Sequence, residues 1–491
     1  RRPHSFSYRA AAKSDGTITA VTGATYALQG CTSDMGMLSQ AFDLGSAIDG
    51  PYNIANWDVS GRCCKTDTPS NTFARGPVVL PGHLLIEAVI EAVASATGLD
   101  PAAVRAKNLY QEGDTTPLGQ KIATPNLQAC VDQAKARCDF EQLEAHVAAF
   151  NAGSRFVKEG VAVSPFKYGV GGAIGYEAVV TAKGDGTVLV QQSGCEIGQG
   201  LNVKQAQVAA QTLGCGLDLV TVDGVSSKIS SMPTGGSTTS EGNAASVRLA
   251  CEDLMHKLAT FATSLERSLG RPAVWAELIV AAIEARADTT GRGRYTGQKE
   301  AGVLPGSSGL GPSQYLAFGC AVSHVRFDAL QCELTVLRTE IVTDQGTSLN
   351  PTIDAGQVQG AFTMGLGYVL TEAFEWGVDG RNRTNGTWEY KPPCSQDIPI
   401  VFNVSFLKGV PNQAGIFGSK AVGEPAMLAS ASILSAAKHA LSALRADGGV
   451  SGHFDLDAPA TPDALCTAAA LDPTMFRFST SGQPSRSQSH C

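Results

Sequence analysis

The chain has 491 residues, enough for about three ordinary domains or two large ones. Hydrophobic residues make up 43% and charged residues 17%, which excludes a disordered or fibrous chain. The formal charge of −8 excludes a general polyanion binder, so nucleic acid is not an expected partner.

No unbroken run of apolar residues is long enough to span a bilayer. The most apolar stretch, 84–96, carries Glu87 and Glu91, so no membrane contact is expected. Arg1-Arg2-Pro3-His4 lacks the apolar core of a signal peptide. The 13 cysteines are scattered without a C-x-x-C, and Cys63-Cys64 are adjacent. A chain this long needs no disulfide staples. It reads as a reduced, cytoplasmic protein whose cysteines are all small buried hydrophobes.

In chain order, the first 30 residues read as strands around the turn Lys13-Ser14-Asp15-Gly16-Thr17. The same device recurs at Lys183-Gly184-Asp185-Gly186-Thr187, a hint of two related subdomains. Residues 84–96 form a helix with an apolar face and two exposed glutamates. Asp100-Pro101 caps and starts a shorter helix. Helices follow at 204–213 and 244–265. Met427, Ala431, Leu434, Ala437, Leu441 and Leu444 fall on one face of a buried helix. The Ser- and Gln-rich end, 479–491, reads as disordered.

The common catalytic signatures are absent: there is no H-E-x-x-H, no phosphate loop and no G-x-S-x-G. What stands out are glycine-rich loops bearing amides and hydroxyls, among 54 glycines in all. Glu196-Ile197-Gly198-Gln199-Gly200 and Gly356-Gln357-Val358-Gln359-Gly360 place glutamines among glycines, where an amide can both donate to and accept from a heteroaromatic edge. Pro233-Thr234-Gly235-Gly236-Ser237-Thr238-Thr239-Ser240 suits an anion or a solvent loop equally. Glu424 lies in Gly418-Ser419-Lys420-Ala421-Val422-Gly423-Glu424-Pro425. If desolvated it is a general base, whereas local chemistry alone favours a helix-start carboxylate.

Taken with Cys64-Lys65-Thr66, Ser70-Asn71-Thr72, Arg75-Gly76 and Asn350-Pro351, these stretches resemble, in order, the molybdenum-cofactor portion of the xanthine dehydrogenase and aldehyde oxidase family. The resemblance covers nearly all of residues 1–465. It implies a mixed α+β fold in two unequal subdomains, 1–110 and 151–465. Residues 111–150 would connect them, 466–491 would form a loose tail, and the cofactor would lie between the subdomains. It implies molybdenum held by a molybdopterin, with few or no metal ligands from the protein. Glu424 matches the base that deprotonates the attacking, water-derived hydroxyl. Gln199, Gln357, Gly236, Ser237 and Thr239 match residues around the pterin and its phosphate, and Arg75 and Gly423 lie beside the metal.

Three positions depart from the family pattern. Pro77 and Gly172 stand where aromatic walls are usual, and Asp43 falls near a purine-anchoring arginine. An aspartate cannot donate as arginine does, and a missing ring forfeits about 0.5–1.5 kcal/mol of stacking. The expectation is therefore hydroxylation of an aldehyde or N-heterocycle, leaning to aldehyde oxidase, with xanthine dehydrogenase next. A fragment that binds no cofactor is the reading from another class. 2Fe–2S clusters and FAD are expected on preceding domains of a longer, homodimeric enzyme.

Overall fold

The computed structural model describes residues 3–32, 47–77, 79–171, 175–224, 229, 233–296 and 313–471. Asp43, Gly172 and the tail 479–491 lie outside them. The described residues form a mixed α+β structure with three separate sheets.

The first sheet pairs β1 (His4–Ala12) antiparallel with β2 (Ile18–Gly30), and β2 parallel with β3 (Asn56–Lys65). Its hairpin closes at the predicted turn. Asp15 Oδ1 accepts from Thr17 N at 3.0 Å, and Gly16 takes φ +84°, where a side chain is strained.

The second sheet runs β11–β10–β9–β4, built from β4 (Val157–Val170), β9 (Tyr315–Asp328), β10 (Glu333–Thr343) and β11 (Val401–Phe406). Both its faces are covered, so β4 and β9 are buried at nearly every position rather than at alternate ones. Alternation still decides which core each residue joins. Ala162, Phe166 and Tyr168 point to one core, while Val161 and Val163 point to the other. The helix Ala431–Asp447 lies hard against the first face, since a Cβ on Gly160 would sit 2.0 Å from Ala436 O. The helix Asn126–Cys138 contributes Leu127, Cys130 and Ala134 to the opposite core.

The third sheet, β7–β6–β5–β8, comprises β5 (Tyr176–Ala182), β6 (Val188–Gln192), β7 (Val220–Asp223) and β8 (Thr290–Tyr295). The second Asp-Gly turn closes the β5–β6 hairpin. A 31-residue helix, Thr239–Leu269, covers this sheet and starts five residues before the sequence placed it.

Two expectations are corrected. Glu87 and Glu91, on the helix Val79–Thr97, are not exposed: they are 3% and 7% accessible. Arg105, from the Asp100-capped helix Pro101–Asn108, inserts between them at 2.8 and 2.6 Å. Tyr52 donates to Glu87, and His439 meets Glu91 at 3.3 Å. A buried carboxylate is tolerable only when paired in this way. The cysteines are also not uniform. Cys332 and Cys466 form a disulfide with Cα atoms 5.7 Å apart, and Cys31, Cys195 and Cys394 are exposed.

The helices Val79–Thr97 and 425–447 are long and apolar enough to cross a membrane by length and composition. Their apolar windows are 61% and 72% buried inside the fold, as core helices are.

Candidate active site

Arg75 ends the loop that follows β3, and its guanidinium ties three segments together. Nε donates to Gly423 O at 2.6 Å. Nη2 donates to Gln357 O at 3.1 Å and to Gln357 Oε1 at 3.0 Å. Gln357 stands on the helix Pro351–Leu366, whose start is fixed by Asn350 accepting from Ile353 N and by proline in the first turn. Gln357 Nε2 reaches on to Gly198 O at 2.9 Å. Burial lowers the Arg75 pKa, and the Glu424 charge pulls it back up.

Glu424 lies half-buried at the turn before the short 3-10 segment Pro425–Ser430. It is the N-cap residue of that segment yet makes no side-chain cap bond to it. Its carboxylate turns instead toward the other loops. Oε1 accepts from Gly76 N at 3.2 Å. Oε2 accepts from Tyr168 O–H on β4 and from Ser237 Oγ at 3.4 Å. Ser237 Oγ in turn accepts from Glu424 N at 2.7 Å. A Cβ on Gly423 would come within 2.8 Å of Ser237 Oγ, so a side chain there would have to displace that hydroxyl.

Two further loops complete the cluster. Glu196 accepts at 3.0 Å from the backbone N–H groups of Gly198, Gly200 and Asn202, curling its loop around one carboxylate. Gln199 accepts from Ile197 N at 2.7 Å and donates to Cys195 O at 2.9 Å, so its amide serves this loop directly. In the neighbouring loop, Thr239 Oγ1 accepts from Gly235 N at 3.1 Å, and Thr234 Oγ1 accepts from Cys195 N at 2.9 Å. Gly236 and Ser237 both take positive φ, +63° and +59°. An added Cβ on Gly198, Gly235 or Gly236 would meet nothing within 4 Å, so these loops offer open backbone to a ligand, and Gly356, expected in a loop, lies instead in the helix Pro351–Leu366.

This donor set fits a polar, anionic organic group: side-chain amides, hydroxyls and uncovered glycine backbone come together on adjoining loops. Among the described residues, no three His, Cys, Asp or Glu side chains converge to hold a metal. A metal here would have to bring its own ligands, as a pterin dithiolene does.

The structure thus joins Arg75, Gln357, Gly423, Glu424 and Ser237 by direct hydrogen bonds, with Gln199, Gly236 and Thr239 on the adjoining loops. Pro77 follows Gly76, half-buried, and brings no aromatic ring. The sequence reading missed Tyr168, and it quoted Glu196 without recognising that its carboxylate organises its loop. A family signature described as a molybdopterin cofactor-binding domain matches residues 133–399, and a second with the same description matches residues 1–109. The chain belongs to the molybdopterin cofactor-binding domain family. Among its relatives, the xanthine dehydrogenase of Drosophila subobscura is 36% identical over 477 residues, covering 94% of this chain and 34% of that protein. The xanthine dehydrogenase/oxidase of Gallus gallus is 33% identical over 476 residues, covering 95% and 34%. This chain therefore spans about a third of the length of the curated relatives it matches. Among solved structures, the aldehyde oxidoreductase of Desulfovibrio gigas superposes with a TM-score of 0.80 at 25% identity, covering 96% of this chain and 49% of the other. Quinoline 2-oxidoreductase from Pseudomonas putida superposes at 0.83 and 21% identity, covering 96% and 62%, and speaks for the fold.

Proposed function

We propose that this chain holds the cofactor and converts the substrate in a molybdenum hydroxylase of xanthine dehydrogenase type, oxidising an N-heterocycle. The net change is C–H plus water giving C–OH, with two electrons and two protons released. The observation that carries the reading is the carboxylate of Glu424, turned from its own segment onto the Arg75-Gly76 loop at the meeting point of the glycine-rich loops. The names and identities of the curated relatives favour purine chemistry over the aldehyde lean of the sequence. Aldehyde oxidation is kept as the second reading because Pro77 supplies no stacking ring and the Desulfovibrio gigas neighbour is an aldehyde oxidoreductase.

The bound cofactor would supply the two-electron oxidation and the centre of oxygen transfer. Glu424 would take the proton of the attacking hydroxyl at Oε1, which among the described residues accepts from Gly76 N alone, whereas Oε2 already accepts from two hydroxyls. The Arg75 guanidinium would offset negative charge beside it. Gln357, Gln199, Gly236, Ser237 and Thr239 would orient the pterin and its phosphate. In this reading the cofactor lies between subdomains 1–110 and 151–465, with Arg75 coming from the first. The 2Fe–2S clusters implied by the resemblance find no cysteine cluster among the described residues, and in this reading they and the FAD would lie elsewhere in the electron path. The homodimer likewise remains a proposal.

Metal analysis of the purified protein tests the reading. Molybdenum near one per chain, with xanthine turned over faster than aldehydes, supports it. A folded sample without molybdenum supports a non-catalytic fragment, and aldehyde preference supports the second reading.

A further inference from the structure

Tyr168 has no place in the mechanism drawn from the sequence, yet it touches the group on which that mechanism rests. It lies on β4 opposite Ala317 of β9, 6% accessible, in the same core as Val422 and Met427. Its phenol is locked by this packing and points out of the core at one acceptor, Glu424 Oε2. The three donors to the carboxylate come from three separate elements: Gly76 N from the loop after β3, Ser237 Oγ from the loop before the helix Thr239–Leu269, and Tyr168 O–H from a sheet. The sheet is the stiffest of these supports, because β4 is paired along its whole length with β9.

We propose that Tyr168 is a positioning residue for the base: it donates to Oε2, fixes the carboxylate plane, and leaves Oε1 to take the proton. The inference rests on the reading of Glu424 as general base. A hydrogen bond donated to the ionised form favours that form. The charged and titratable groups facing Glu424 among the described residues are Arg75 and Tyr168. Behind them lies the Tyr315–Glu241 pair, which reaches the same loop through Ala421 N. Of these, Tyr168 is the group that donates directly to the carboxylate while itself fully enclosed. Burial raises the Tyr168 phenol pKa well above its ordinary value, with the Glu424 charge second, so it stays a donor throughout the working pH range.

The test compares wild type, Tyr168→Phe and Ser237→Ala in the molybdenum-loaded enzyme. The acid limb of kcat/KM, below which the base is already protonated, is expected to move up by about one pH unit in Tyr168→Phe, a roughly tenfold loss below the limb. Molybdenum content should not change. Ser237→Ala, losing a 3.4 Å contact, should move the limb less. An acid limb that stays put in Tyr168→Phe overturns the proposal. The second readout needs no turnover. Acidifying the wild-type protein should give a tyrosine ultraviolet difference signal as Glu424 protonates, and this signal should be missing from Glu424→Gln. That signal without turnover would preserve the Tyr168–Glu424 link and remove the catalytic reading. Turnover without the signal would remove the link alone.

Discussion

Arg75 Nε donates to the carbonyl oxygen of Gly423 at 2.6 Å, joining residues 348 positions apart in sequence. The same guanidinium holds both the backbone and the side-chain oxygen of Gln357. One planar fork therefore sets the spacing of the base-bearing loop against the amide-bearing helix. Lysine carries the charge but lacks the fork. Arg75→Lys is expected to retain roughly a tenth of wild-type molybdenum after dialysis, since hydrogen bonds to charged groups are worth about 1.5–3 kcal/mol. Full retention would show that the fork does not organise the site.

Arg105 holds two carboxylates that are themselves out of water. Burial works against ionising Glu91, yet His439 and Arg105 hold its carboxyl well below the ordinary range. Removing one partner leaves charge without compensation, which costs about 3–5 kcal/mol. Arg105→Met should lower the unfolding free energy by that order in urea titrations. A loss under about 1 kcal/mol would contradict the buried network.

Glu241 gives a signed pH effect. Burial pushes its carboxyl up to about 7, although the Tyr315 O–H at 2.6 Å opposes the shift. An unfolded glutamate titrates near 4.3. Between those values the folded state binds the extra proton, so stability falls as pH rises through the window. The contribution is complete below about pH 4.3 and lost above about 7. Glu241→Gln stays neutral and should gain on wild type between pH 5 and pH 8. An equal difference at both pH values would refute the assignment.

The Cys332–Cys466 bridge closes a separation of 134 residues and pins the helix Pro462–Ala469 near the β9–β10 hairpin. Long loops gain most in the chain-entropy account, and typical disulfides contribute about 2–4 kcal/mol. Cys332→Ser should lower the thermal midpoint by several degrees, and a reductant should do the same to wild type but not to the variant. Identical midpoints in all samples would mean that the bridge does not form in solution.

The parts of the site that are contiguous in sequence were the legible ones. Gly-amide and Gly-hydroxyl loops carry their chemistry within five to eight residues, and both Asp-Gly hairpins carry their turn signal locally. Tyr168 carries no such mark. It sits in a run of buried strand positions and meets Glu424 across 256 residues, a pairing that only the fold creates. Glu87 and Glu91 misled for a related reason: acidic residues on a helix read as solvent-facing until Arg105 arrives from the next helix. The disulfide was hidden because neither cysteine stands in a motif, and a large core makes staples unnecessary as a prior.

The central claim is that Glu424 is the base rather than a structural carboxylate. The direct measurement is single-turnover reduction of the molybdenum-loaded Glu424→Gln enzyme by substrate, alongside its metal content. The account predicts wild-type molybdenum with the chemical step slowed by at least about 100-fold, the lower range for a general base. Near-normal reduction at full metal loading would contradict it.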